Sequence, residues 1–306
     1  MALLGWIILF TACGGMASAL FAGLFLLLPE QTGLRLLPHF VSFATGALLG
    51  AALLALLPEA IESVGPGGAR GIGAALVVGL GIFFVIEKLV LWKHAHSHED
   101  SDEMEASGGH DHSGHGHGDH QHGHEGHEHA DRGHQGHAQD ARGHHHGHAG
   151  HDHGRGAAAG TLVLIGDSIH NALDGILIAA AFLTNVPLGL VTTLAVAAHE
   201  IPHRVGDFAL LLHAGMSRRR ALILNIATGL ASVLGGIVAY FGLHRAMGAL
   251  PYALALAAAG FLYIAVAGLI PGLHRRADPR TSLTQVVLMG LGVGLIALAE
   301  ALSHPA

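Results

Sequence analysis

The sequence predicts an all-α polytopic membrane protein with eight transmembrane helices and a metal site between the fourth and fifth. Three observations predict it. Of the 306 residues 51% are hydrophobic and only 12% charged, with a mean hydropathy of +0.50, whereas soluble domains carry about 25% charged residues. Apolar runs recur along the chain, each of the ~20 residues needed to cross ~30 Å of hydrocarbon as a helix. Two neighbouring runs also carry histidines and carboxylates at helical spacing. Ionisable groups cost ~2.5–3.5 kcal/mol each at the bilayer centre, so such clusters face a partner helix or a cavity rather than lipid.

The eight runs cover residues 3–28, 40–61, 71–92, 162–183, 188–213, 221–243, 250–270 and 282–302. The first contains Ala17-Ser18-Ala19, which looks like a signal-peptidase site. No basic residue precedes it, and the apolar stretch continues to Leu28, so the reading is a retained first helix. A single cysteine, Cys13, excludes an intrachain disulfide framework and a thiolate zinc cluster. The formal charge of −7 leaves 28 histidines neutral; they titrate near neutrality, so no partner follows from that charge and no nucleic acid is expected.

The chain divides into helices one to three over 1–93, a His-rich segment over 94–155 and helices four to eight over 156–306. The middle segment holds 20 of the 28 histidines and twelve carboxylates with almost nothing apolar. It cannot bury a core and is expected to be a disordered cytoplasmic loop. Its many alternative imidazole sets suit metal buffering or sensing better than one rigid site. Orientation follows from lysine and arginine. With both termini outside, the inner connections hold Arg35, Lys93, Arg132, Arg142, Arg155, Arg218, Arg219, Arg220, Arg275, Arg276 and Arg280, and the outer ones hold only Arg70 and Arg245. The unadorned outer loops suggest a bacterial inner membrane.

The fourth run carries Asp167-Ser168-Ile169-His170-Asn171-Ala172-Leu173-Asp174-Gly175, and the fifth carries His199-Glu200-Ile201-Pro202-His203-Arg204-Val205-Gly206-Asp207. At about 100° per residue, the five ionisable groups of the second stretch fall within an arc of about 140°. His170 and Asp174 are likewise one turn apart. Only Thr184 to Pro187 join the two runs, which makes an antiparallel helical hairpin. Two histidines at i, i+4 facing a histidine and an aspartate at i, i+4 have metal-ligand spacing. Pro202 removes a helical donor and is expected to kink the helix beside these residues, with Gly175 and Gly206 adding freedom. His39, at the end of the second run, is a candidate for guiding metal at the inner mouth.

With these residues in view, the chain resembles the ZIP family of divalent-metal transporters, in the subgroup with HNxxDG in the fourth helix and HExPHE in the fifth. Ser42-Phe43-Ala44-Thr45-Gly46, Leu57-Pro58-Glu59-Ala60 and Phe261-Leu262-Tyr263-Ile264-Ala265 also look like the family. The resemblance implies a first metal held by His170, Asp174, His199 and His203, and a neighbouring one using Asn171 and Glu200 with His203 shared. It also implies downhill movement of the ion into the cytoplasm by alternating access, without ATP. Zn2+ is then the transported substrate. Fe2+, Mn2+ and Cd2+ accept the same nitrogen and oxygen ligands. The partners are the ion and the lipid bilayer, and the reading is compatible with a homodimer.

Departures from the family pattern affect the second metal. Arg204 replaces the last glutamate of HExPHE, Ser232 stands where some members carry a glutamate ligand, and Ala51, Ala55 and Gly268 replace polar or acidic residues. Arg204 is expected to pair with Glu200 or Asp207 and weaken a second cation site. The rival reading is an intramembrane zinc metalloprotease, since His199-Glu200-Ile201-Pro202-His203 satisfies H-E-x-x-H. The order of its helices relative to the Leu173-Asp174-Gly175 element is reversed for that class, and a proline interrupts the motif. The chain is read as a transporter and not an enzyme.

Overall fold

The computed structural model describes residues 2–25, 27–65, 67–106, 152–274 and 279–303, and among these it is all-helical. In chain order the helical stretches are α1 (Ala2–Phe25), α2 (Gln31–Val64), α3 (Ala69–Ala106), α4 (Asp152–Thr184), α5 (Val186–His213), α6 (Arg218–Arg245), α7 (Met247–His274) and α8 (Pro279–Ser303). Six of them, α1, α2, α3, α6, α7 and α8, are long and apolar enough to cross a membrane, consistent with a polytopic membrane protein. The turns of α4 and α5 at mid-length instead carry ionisable residues.

Each apolar run lies on one of these helices, but the bounds differ. α1 ends at Phe25, short of Leu28, and α2 begins nine residues ahead of its apolar run. Polar residues such as Gln31, Thr32 and Arg35 belong to a helix without belonging to its hydrophobic stretch. α3 continues through 94–106, which contain no glycine or proline, and α4 begins at Asp152, so both helices reach into the His-rich segment. The rest of the predicted disordered loop, 107–151, lies outside the described residues.

Among the described residues, backbone irregularity is concentrated in three π turns, at Cys13–Ala17 in α1, Ala51–Leu56 in α2 and Ile264–Leu269 in α7. The last two come just before Pro58 and Pro271. A proline has no N–H and clashes with the carbonyl four residues back, and a widened turn moves that carbonyl aside. Leu57 N–H accordingly reaches Ala52 O, and Ile270 N–H reaches Ala265 O. No such turn occurs at Pro202, where α5 stays α-helical throughout Val186–His213.

α4 and α5 are joined by Asn185 alone. Its side chain caps α5 by accepting from Leu188 N–H at 2.7 Å, and its amide donates to Glu59 Oε1 at 3.3 Å, tying the hairpin to α2. α4 packs along α6, α2 along both α8 and α7, α1 along α6 and α3 along α7, and α5 is flanked by α1, α2 and α4. The α4–α6 approach depends on absent side chains: a Cβ on Gly175 would land on the Ser232 carbonyl, and one on Gly235 on the Ala172 carbonyl. Gly206, by contrast, faces open space. α3 and α8 bury only 11% of their apolar windows, against 61% for α2, so they line the outside. Leu283, Val286, Val77 and Val78 are exposed there, as lipid contact requires.

Candidate metal site

α4 and α5 bring four predicted residues together in the interior. His170, Asp174, His199 and Glu200 each offer one ligand atom, all within 4.8 Å of one another. The imidazole Nε2 atoms of His170 and His199 are 3.3 Å apart. His199 Nε2 lies 3.4 Å from Asp174 Oδ2, and His170 Nε2 lies 3.4 Å from Glu200 Oε1. Asp174, His199 and Glu200 are buried, and the His170 side chain is 20% exposed. Helical geometry sets this up: the pair at i, i+4 on α4 meets the adjacent His199 and Glu200 on α5 across an antiparallel contact.

Asp174 Oδ2 and Glu200 Oε1 are buried and accept no hydrogen bond. An unsatisfied buried carboxylate oxygen is costly. Two of them aimed at two imidazoles form a donor set that a divalent cation satisfies. Two nitrogens and two oxygens suit four-coordinate zinc and exclude no other borderline dication.

His203 is placed differently. Asp207, one turn on, takes its Nδ1 at 2.8 Å and turns the ring toward a second group, Asp167, His203 and Asp207. The His203 side chain is 41% exposed, and its ring stacks on His170 with centroids 5.2 Å apart. Asn171 is fully buried and already engaged: its amide donates to Asp167 Oδ1 at 2.8 Å, and its oxygen accepts from Arg204.

Arg204 is the largest fully buried side chain among the described residues. Its Nε donates to Glu200 Oε2 at 2.8 Å and its Nη1 to Asp167 Oδ2 at 3.0 Å. Nη1 also meets Asn225 O at 2.7 Å, Asn225 Oδ1 at 2.8 Å and Thr228 Oγ1 at 2.6 Å. Of the two expected partners it pairs with Glu200, while Asp207 goes to His203. Asn225 and Thr228 of α6 are the residues sequence reasoning missed; a lone amide and a hydroxyl at i, i+3 in an apolar run were the available signal. His39 sits in a cavity of about 320 Å³ shared with Arg35 and Arg280, whose charges repel a cation.

An all-helical bundle with membrane-length apolar helices and an interior His/Asp/Glu group defines a polytopic membrane protein equipped to bind a divalent metal. Comparison with known proteins gives the family. A family model described as ZIP zinc transporter matches residues 3–300. Zinc transporter ZIP13 of Danio rerio is 31% identical over 278 residues, covering 89% of this chain and 78% of its own length. ZIP13 of Homo sapiens is 32% identical over 291 residues, 89% of this chain and 73% of its own. Zinc transporter ZIP4 of Homo sapiens is 43% identical over 120 residues, 39% of this chain and 18% of its own. The chain belongs to the ZIP zinc transporter family, and so to transporters rather than enzymes.

Proposed function

We propose that the protein carries a divalent ion, zinc foremost, through the group formed by His170, Asp174, His199 and Glu200. The observation that carries this reading is the pair of buried, unpartnered carboxylate oxygens on Asp174 and Glu200, aimed at two imidazoles. The names of the relatives, zinc transporters, agree with it. Fe2+, Mn2+ and Cd2+ suit the same ligands. α4 and α5 then cross as well, giving eight spans, their ionisable residues facing inward between α1, α2 and α6.

His203 serves as the next ligand along the route: it stacks on His170 and is the most exposed of the set. Asn171 acts by orienting Asp167 and Arg204 rather than by ligation, because its oxygen is taken. Histidine and carboxylate hold an ion without the tenacity of thiolates, which suits binding followed by release. Transport is downhill and inward, by alternating access without ATP, with both termini outside, the orientation that the lysine and arginine distribution favours. The relatives named above come from animals and lend a bacterial inner membrane no support. A homodimer is compatible with the broad exposed apolar faces of α3 and α8.

A metalloprotease would need Glu200 as a free general base, and here Arg204 holds its Oε2. Zinc uptake into proteoliposomes decides the matter. Uptake by the wild type that is lost in both His170→Ala and His199→Ala supports the reading, and equal uptake by all three overturns it.

A further inference from the structure

We propose that Arg204 is a built-in cation that keeps a second metal from settling in the Asp167–His203–Asp207 group beside the first, so that the helix interior carries one divalent ion at a time. The inference rests on the reading that the His170–Asp174–His199–Glu200 group holds the transported ion.

The two groups lie side by side, yet their free ligand atoms differ. In the first, Asp174 Oδ2 and Glu200 Oε1 are without hydrogen bonds. In the second, Asp167 Oδ1 accepts from Asn171, Asp167 Oδ2 accepts from Arg204, and His203 Nδ1 is held by Asp207. Among the buried carboxylate oxygens of the two groups, therefore, only those of the first are left without a hydrogen bond. A metal at the ~2.0–2.2 Å typical of zinc–oxygen bonds on Asp167 Oδ2 would stand beside a guanidinium nitrogen that is itself 3.0 Å from that oxygen. The guanidinium cannot lose its charge, nor can it swing aside freely, since Asn225 and Thr228 of α6 hold the same Nη1 that meets Asp167 and Asn171 of α4 holds Nη2.

Charge points the same way. The carboxylates Asp167, Asp174, Glu200 and Asp207 would match the charge of two dications on their own, but Arg204 cancels one of the four, so a second dication leaves the two groups with a net positive charge. Arg204 also takes Glu200 Oε2, so Glu200 can offer the ion only Oε1.

The test is anomalous diffraction from crystals of the full-length protein saturated with Cd2+, for the wild type and for Arg204→Gln. One cadmium peak at the His170–His199 group, with the guanidinium still bridging Glu200 and Asp167, supports the proposal. Two peaks in the wild type, or a guanidinium displaced by the ion, overturns it. No peak at the His170–His199 group overturns the underlying assignment of the site as well. In Arg204→Gln a second peak between Asp167 and His203 is expected, and one peak alone in a folded variant overturns the proposal. Because the wild-type crystal tests the occupancy and the guanidinium contacts directly, the outcome does not depend on that variant folding.

Discussion

Arg204 donates from Nε to Glu200 Oε2 at 2.8 Å with both side chains completely buried, one turn apart on α5. The guanidinium also reaches Asp167 on α4 and Asn225 on α6, so one side chain joins three helices. Removing one partner of a buried ion pair leaves an uncompensated charge, at a cost of about 3–5 kcal/mol. Arg204→Met is therefore expected to lower unfolding stability in detergent by that amount. An unchanged denaturation curve would show that α4, α5 and α6 hold together without the pair.

The histidines are not equivalent. His199 is 1% exposed and faces Asp174, whereas His203 is 41% exposed and tied to Asp207. Loss of a group supporting a metal site costs ~10–100-fold in affinity, and loss of a ligand more. His199→Ala should weaken zinc binding by more than about a hundredfold and His203→Ala by about tenfold. Zinc binding measured by competition with a chelating dye separates them, and equal losses would place His203 inside the primary group.

Much of this arrangement was legible in the sequence because helical spacing is local. Each apolar run lies on a helix among the described residues, and the i, i+4 pairs placed His170 with Asp174 and His199 with His203 on shared faces. Spacing could not decide which neighbour captures a ring. Asp207 takes His203 Nδ1 and turns the ring from the four-residue group, so that Glu200 completes it. Nor could it show Asn225 and Thr228 meeting Arg204, since they lie more than twenty residues away on another helix. The π turns ahead of Pro58 and Pro271 answer to a proline signal, yet the same signal at Pro202 gives no π turn; proline deletes one hydrogen bond and does not by itself fix how the backbone responds.

Two glycines flanking the site make opposite predictions. At Gly175 an added Cβ meets the Ser232 backbone, which cannot yield without parting α4 from α6; at Gly206 it meets nothing within 4 Å. Overpacking costs about 1–3 kcal/mol or more, while glycine to alanine in an open helical position gains up to about 1 kcal/mol. Gly175→Ala should lose stability and zinc uptake together, and Gly206→Ala should keep both. Thermal unfolding in micelles alongside proteoliposome flux checks the pair, and a tolerant Gly175 would mean that α4 and α6 are not in close register.

Removal of the His-rich segment tests whether metal handling there is separate from translocation. All four residues of the proposed site lie well inside α4 and α5, the nearest, His170, eighteen residues beyond the start of α4 at Asp152. α4 is anchored by α6 and α5, and α3 by α7, so neither position depends on the chain that links them. Replacing residues 107–151 with a glycine–serine linker, flexible and free of ligands, should leave uptake at saturating zinc intact and reduce the metal retained by the protein. Lost uptake in a correctly folded variant would move the site of function out of the bilayer and into the segment itself.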